Sequence, residues 1–204
     1  MKDTLAIVSM DMQNEAVHMD STFGQPGLFG DQGIAREVVR KGVLEKAREV
    51  LNRARAAGVL IIHVGTRYRP GYPELNRGHP VFDQVQDLGV FKTGDWGVDF
   101  HELIAPQGEE AVVWKSRVNA FYQTDLQAIL RSNGIRTIAA QGVALNNVVE
   151  STVRDAADMG FQPIVLSDCV ASFDAEQDDF CAQRILPRFC RVMESGAFFE
   201  EAGI

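Results

Sequence analysis

Short apolar runs alternate along this chain with segments in which apolar residues recur every three or four positions. The apolar runs lie at residues 5–10, 59–64, 111–114, 136–140 and 161–166, with a short last run at 191–193. Uninterrupted runs of this length are typical of strands buried on both faces of a parallel sheet. Helical periodicity is found at residues 39–57, 124–132, 148–160 and 174–189. The alternation predicts a three-layer, doubly wound α/β fold, in which helices cover both faces of a mostly parallel sheet of about six strands.

Other segments fit neither pattern. Residues 21–33 are rich in glycine and polar side chains, which predicts a long surface loop that could act as a lid. Residues 65–74 contain two prolines and two glycines, so they cannot form regular helix or strand. They bring two arginines and two tyrosines to the carboxyl end of the second strand. Residues 75–110 are expected to be irregular, with short helical pieces. Pro187 must end or kink the helical segment at residues 174–189.

Composition narrows the class of protein. The 204 residues are 46% hydrophobic and 24% charged, which predicts one soluble globular domain over residues 1–204. The net charge of −8 argues against nucleic acid or a membrane surface as a partner. The first apolar run is too short for a signal peptide or a spanning helix, so a cytoplasmic protein is expected. The three cysteines are odd in number and lack metal-ligand spacing, which indicates reduced core thiols.

Chemistry is expected where three strands end at the same edge of the sheet. Small residues, Gly142 and Ala144, follow the fourth strand and allow a sharp turn into a helix, whose first N–H groups can stabilise negative charge. Asp11 and Lys115 follow two other strands. A carboxylate in a partly desolvated cleft has a raised pKa and can act as a general acid or base. Either residue alone is more often structural or solvated; their convergence at one sheet edge indicates a site.

Three blocks of residues, in this order, resemble a known family. They are residues 5–14, residues 113–126 with Trp114-Lys115-Ser116-Arg117, and residues 142–156 with Gly142-Val143-Ala144. Together they are similar to the isochorismatase-like hydrolases, also called the cysteine hydrolase superfamily. That superfamily includes nicotinamidases, N-carbamoylsarcosine amidases, ureidoacrylate amidohydrolases and isochorismatases. The resemblance covers nearly the whole chain. It implies a triad of Asp, Lys and Cys at positions 11, 115 and 148, and a cis peptide between Val143 and Ala144 that shapes an oxyanion hole.

Val148 departs from that triad, because the amidase members carry their nucleophilic cysteine at this position. Valine has no lone pair and no transferable proton, so it cannot form an acyl-enzyme intermediate. Hydrolysis of an enol ether needs only an acid and a water, and the isochorismatase branch also lacks the cysteine. By resemblance, Asp11 would be the acid, and Lys115 would hold a substrate carboxylate or the charge on Asp11. We therefore predict a hydrolase acting on a small, carboxylated molecule.

Two alternatives stay open at this point. The first is a catalytically inactive protein that binds a small molecule or acts as a scaffold on the same fold, which Val148 would permit. The second is a cysteine amidase with a displaced thiol, for which Cys169 lies nearest to the sheet edge. The chain looks closest to a branch without the cysteine, which carries the Arg-Pro-Gly-Tyr-Pro-Glu segment seen here at residues 69–74. That branch does not indicate a substrate.

Several polar residues could line the pocket. Those predicted to bind substrate are Gln13, Arg67, Arg69, Arg117 and Asn119, with Tyr68 as a further pocket residue. Arginine suits bidentate binding of a carboxylate, although Arg67 and Arg69 could instead pair with acidic residues on the loop or across a subunit interface. His63 lies inside an apolar strand and is predicted to belong to the core.

The expected partners and cofactors follow from the same observations. His79 and Asp83 are close in sequence but do not form a metal-binding pattern, so neither a metal nor another cofactor is predicted. The expected partner is a small-molecule substrate. The resemblance implies a homo-oligomer, either a dimer or a tetramer.

Overall fold

The computed structural model describes residues 2–26 and 33–204. Within them, one sheet contains six strands in the order β3-β2-β1-β4-β5-β6, and every neighbouring pair is parallel. The strands are β1 Leu5–Met10, β2 Leu60–Thr66, β3 Ala111–Lys115, β4 Thr137–Val143, β5 Gln162–Ala171 and β6 Arg191–Met193. The strand order runs outward from β1 in both directions, which creates a crevice at the carboxyl ends of β1 and β4. The predicted fold class is confirmed.

Helices cover both faces of this sheet. They are α1 Asn14–Val17, α2 Ile34–Lys41, α3 Val43–Ala57, α4 Pro80–Leu88, α5 Leu126–Ser132, α6 Glu150–Asp158, α7 Ala175–Phe180 and α8 Ser195–Ala202. Buried residues of α2, α3, α4 and α8 belong to the core on one face, and those of α5 and α6 belong to the core on the other. No helix in the described part of the chain is long and apolar enough to cross a membrane.

The first strand shows why its sequence is almost entirely apolar. Leu5 and Ile7 pack into the core on one face of the sheet, and Ala6, Val8 and Met10 pack into the core on the other. Successive side chains of a strand point to opposite faces, so a strand covered by helices on both sides is apolar at nearly every position, and Ser9 is the one polar residue of β1. All six residues of β1 are buried. The same arrangement fixes where the strand ends and hence where Asp11 begins the loop.

The structure differs from the sequence prediction in several elements. The segment at residues 39–57 is not one helix, because Gly42 has a left-handed backbone (φ 64°) that separates α2 from α3. The segment at 174–189 breaks after α7 into a π-helical turn, Cys181–Ile185, and a 3-10 turn, Leu186–Arg188, that contains Pro187. Strand β5 extends five residues beyond its apolar run, and α8 was not predicted. The proposed lid at residues 21–33 includes residues 27–32, which lie outside the described residues.

Gly142 lies in β4 beside Met10 of β1, where a side chain has no room. Its φ is 135°, and a Cβ atom placed there would lie 2.1 Å from the carbonyl oxygen of Met10. Such a contact cannot be relieved by a side-chain movement, because the neighbour is the backbone of the central strand. The glycine therefore allows β1 and β4 to present their carboxyl ends side by side.

We expect Gly142→Ala to lower the free energy of unfolding by about 3 kcal/mol or more, because it combines backbone strain with overpacking. Gly160→Ala is the matched control: its φ is 82°, but no atom lies within 4 Å of the added Cβ, so only a conformational cost of about 1 kcal/mol is expected. Urea unfolding followed by circular dichroism measures both. Equal losses would contradict the close approach at Gly142.

Candidate active site

Asp11, Thr66 and Lys115 meet where three neighbouring strands end. The Lys115 ammonium lies 2.8 Å from Asp11 Oδ2 and donates to Thr66 Oγ1 at 2.7 Å. The Thr66 hydroxyl lies 3.3 Å from Asp11 Oδ1. Asp11 itself has a left-handed backbone (φ 52°), and its N–H donates to the carbonyl of Val64 at 2.8 Å. The sheet order β3-β2-β1 therefore produces this cluster, because Lys115, Thr66 and Asp11 lie at or directly after the ends of adjacent strands.

This ion pair is largely removed from water. The side chain of Lys115 is 3% exposed and that of Asp11 is 15% exposed. Burial raises the pKa of Asp11, and the opposing effects of Lys115 and Thr66 are smaller. A raised pKa in the folded state means that Asp11 stabilises the fold most at acidic pH, and that this contribution is lost as the pH rises through the raised pKa. The carboxyl group can therefore hold a proton at a pH where an exposed aspartate would have lost it.

The turn after β4 forms the opposite wall of the site. The peptide bond between Val143 and Ala144 is cis. A π-helical turn, Leu145–Val149, follows it and leads directly into α6. Val148 is buried, at 2% exposure, and lines the cleft beside Asn147. At position 148 an apolar, inert side chain thus lines the same cleft as Asp11.

A cleft of about 70 Å³ lies between these two walls. Apolar side chains form most of its surface: Ala16, Phe23, Ile34, Val81, Phe82, Val85, Phe91, Val118, Val143, Ala144, Val148 and Phe173. Its polar side chains are Asp11, Thr66, Tyr68, Lys115, Arg117 and Asn147. A small apolar ligand with few polar groups fits such a surface. Thr66 and Asn147 were not predicted from the sequence; the position of Thr66 at the carboxyl end of β2 was the signal that could have indicated it.

Two residues predicted to bind substrate have structural roles instead. The Gln13 amide bonds to the backbone of Thr66 and Val98 through three contacts of 2.7–2.8 Å, and the side chain is fully buried. The Asn119 amide donates to Ser151 and Asp155 at 2.9 Å. Neither residue lines the cleft. Both side chains satisfy polar groups of nearby loops and helices, and this placement departs from the prediction.

The three arginines predicted to bind substrate are divided between two places. Arg117 lines the cleft, and its guanidinium lies 5.4 Å from the centre of the Phe82 ring. Arg67 is exposed and stacks over Trp114, and Arg69 forms an ion pair with Glu74. Arg67 and Arg69 line an outer groove that shares only Tyr68 and Lys115 with the cleft.

None of the three cysteines lines the cleft within the described residues. Cys169 is fully buried in β5, and burial raises the pKa of its thiol. Burial, with Glu150 nearby, raises the pKa of Cys181 to about 12, and burial raises that of Cys190 to about 12. Such thiols stay protonated and poorly nucleophilic at neutral pH.

His63 also lies apart from the cleft. It is buried in β2, where its Nε2 lies 3.0 Å from Glu110 Oε2. Burial lowers the pKa of His63, so the ring is neutral in the core. Across residues 2–26 and 33–204, no group of three or more His, Cys, Asp or Glu side chains is arranged to hold a metal ion.

Comparison with known proteins places this fold and site in one family. The sequence model of the Isochorismatase domain matches residues 5–197. The chain belongs to the isochorismatase-like hydrolase superfamily. A curated relative, ureidoacrylate amidohydrolase RutB of Stutzerimonas stutzeri (strain A1501), is 29% identical over 175 residues, which is 80% of this chain and 68% of that protein.

Solved structures agree with this assignment. An isochorismatase family protein from Burkholderia thailandensis has a TM-score of 0.80 at 25% identity, covering 100% of this chain and 98% of that one. N-carbamoylsarcosine amidase from Thermoplasma acidophilum has a TM-score of 0.70 at 27% identity, covering 94% of this chain and 96% of that one. These similarities assign the chain to the hydrolase superfamily. The valine at position 148 is read from this chain's own sequence.

The buried ion pair predicts a non-additive effect on stability. We expect Asp11→Asn and Lys115→Met each to lower the free energy of unfolding by about 3 kcal/mol, because each leaves the other group without its partner. The double variant should recover most of that loss, since no unpaired charge remains. Urea unfolding at pH 7 measures the cycle.

Asp87→Asn is the control for this cycle, because the Arg77–Asp87 pair is exposed on both sides and its loss should cost less than about 1 kcal/mol. Additive losses from the Asp11 and Lys115 variants would contradict the coupling of these two residues.

Proposed function

We propose that this protein hydrolyses a small, carboxylated molecule, with Asp11 as the general acid and base and with water as the nucleophile. The observation that carries the proposal is the placement of a buried carboxyl group, with a raised pKa, opposite Val148 in one cleft. A proton donor is present, and the wall that faces it offers no protein nucleophile. Chemistry that needs a proton and a water, and no covalent intermediate, suits this arrangement best.

Hydrolysis of an enol ether meets these requirements. Protonated Asp11 gives its proton to the vinyl carbon, and the ether oxygen stabilises the resulting oxocarbenium ion. Water adds to the cationic carbon and returns a proton to the Asp11 carboxylate. The hemiketal then collapses: the C–O bond to the former ether oxygen breaks, the hemiketal hydroxyl gives up its proton, the departing oxygen takes up a proton, and a carbonyl compound and an alcohol leave. Lys115, 2.8 Å from Asp11, stabilises the carboxylate that exists between these two proton transfers.

Amide hydrolysis through a thioester is not proposed for this chain. The relatives named above include an amidohydrolase and an amidase. That reaction in the cysteine hydrolases needs a thiolate, and position 148 holds valine. A displaced thiol is a poor substitute, because Cys169, Cys181 and Cys190 have raised pKa values and lie away from the cleft.

A second candidate is a non-catalytic small-molecule binding protein or scaffold on the same fold. Val148 favours it, because loss of the nucleophile is what an inactive family member would show. The two candidates differ in the need for Asp11. A binding protein gains nothing from a proton donor at a raised pKa, whereas the proposed hydrolase depends on one.

The decisive variants are Asp11→Asn and Val148→Ala. Turnover should first be sought with a panel of enol ethers, amides and ureides of small carboxylic acids, with product formation followed by NMR. On the active compound, Asp11→Asn should lower kcat by at least about a hundredfold, because the proton donor is lost. Val148→Ala should retain kcat within about tenfold, because the valine takes no part in bond making.

Several outcomes contradict the proposal. Full activity of Asp11→Asn would exclude the general-acid role. Stable binding of panel members with no turnover of any would support the binding protein instead. Loss of turnover on alkylation of the native thiols would support a displaced nucleophile.

A further inference from the structure

Tyr68 is a buried tyrosine whose hydroxyl group has no hydrogen-bond partner among the described residues. The residue is 2% exposed and follows the end of β2. Its backbone is fixed by bonds to Phe91 and Thr93, and its ring packs against Tyr72 at a centroid distance of 5.7 Å. Buried phenol groups usually find a partner. The hydroxyl group of Tyr68 is therefore a donor that the described residues leave unused.

The surroundings of this hydroxyl group connect it to the cleft. Tyr68 lines the cleft together with Asp11 and Arg117. Burial raises the pKa of Tyr68, the charge of Asp11 raises it further, and Arg117 acts in the opposite direction. Both charged groups are thus close enough to act on the phenol. The hydroxyl group therefore stays protonated at neutral pH. It can donate a hydrogen bond to an acceptor that enters the cleft.

The guanidinium of Arg117, which lines the same cleft, has N–H donors that its contacts with the described residues do not use. Its Nη1 donates to the carbonyl of Ser116 at 2.7 Å, with a second contact to the Ser116 hydroxyl, and its Nη2 donates to the carbonyl of Glu74 at 2.9 Å. Of the five N–H groups of a guanidinium, these contacts leave Nε and one N–H of Nη2. Arg117 has no acidic partner among the described residues. Its charge is held in position by backbone carbonyls and is available to an anion.

We propose that the Tyr68 hydroxyl and the Arg117 guanidinium together bind the carboxylate of the ligand, so that Tyr68 selects a monocarboxylate with a small apolar body. This inference rests on the proposed function of the same cleft. A carboxylate can accept from both groups at once, and each bond is charge-assisted. Among the described residues that line the cleft, Arg117 is the cation without an acidic partner, since Lys115 contacts Asp11.

The cleft also limits the rest of the ligand. One water needs about 10–15 Å³ of such space, so a cleft of about 70 Å³ holds a ligand of about five to seven non-hydrogen atoms. Most of the other side chains that line the cleft are apolar, with Val81, Val118 and Val148 among them. Polar groups on the body of the ligand would be left without partners there, at a cost in affinity.

The test compares isobutyrate with its neutral isostere, isobutyramide, as probes of the cleft by calorimetric titration. Wild-type protein should bind isobutyrate at least tenfold more tightly than isobutyramide. Tyr68→Phe removes one oxygen and keeps the ring. It should lower the affinity for isobutyrate about tenfold and reduce the preference for the carboxylate over the amide. Arg117→Gln should abolish that preference.

Tyr72→Phe is the matched control. Tyr72 lies on the same loop, but its hydroxyl donates to the carbonyl of Val90 at 2.8 Å and does not line the cleft. Tyr72→Phe should leave the affinities for isobutyrate and for isobutyramide unchanged. The proposal is overturned if wild-type protein does not bind isobutyrate at millimolar concentration, if the amide binds as tightly as the acid, or if Tyr68→Phe behaves like Tyr72→Phe.

The experiments distinguish failure of the proposed carboxylate site from failure of the proposed hydrolase function. Isobutyrate binding requires no turnover, and Asp11→Asn tests turnover without removing Tyr68 or Arg117. Selective isobutyrate binding with an Asp11→Asn variant that remains fully active would support the carboxylate site and reject the general acid. Loss of turnover in Asp11→Asn, with no carboxylate preference in wild-type protein, would reject the role of Tyr68 alone.

Discussion

Asp11 and Lys115 are a carboxyl group and an ammonium group held almost out of water, and the fold determines that they are held together. The ammonium group of Lys115 would not be stable in this position without a partner, because an unpaired buried charge costs several kcal/mol. Their meeting requires β1, β2 and β3 to lie side by side and to end at the same edge of the sheet. Strand order and register bring these three strand ends together. Gly142 lets β4 approach β1, so that the turn after β4 lies beside them. The cleft exists because these strand ends meet the turn after β4.

Val148 changes what this pair can do. In a cysteine hydrolase the acid and the lysine support a thiolate, whereas here they face an apolar wall. In the proposed reaction, the raised pKa of Asp11, caused mainly by burial, lets it act as the proton donor. The remaining polar groups of the cleft, Tyr68 and Arg117, suit recognition of an anion. The proposed substrate binding and proton transfer thus use neighbouring side chains of one small space.

Much of this could be predicted from the sequence, and the exceptions have physical reasons. Strands β1 and β6 begin and end as predicted, and for β1 the reason is that an apolar run marks an element buried on both faces. The break at Gly42 was missed because the helical periodicity continues across it. Gln13 and Asn119 were wrongly expected in the pocket, since a sequence does not reveal which polar side chains are used by neighbouring backbone groups. The role of Thr66 depends on strand order, which periodicity alone does not define.

The ionisation of Asp11 tests the central claim most directly, because the proposed chemistry needs a carboxyl group that keeps its proton. The ¹³C shift of the Asp11 carboxyl group can be followed against pH by NMR, with the spectrum of Asp11→Asn identifying the resonance. The account predicts a midpoint well above the ordinary aspartate value of about 3.9. A midpoint at or below that value would show that Lys115 outweighs burial, and would contradict the assignment of Asp11 as the proton donor.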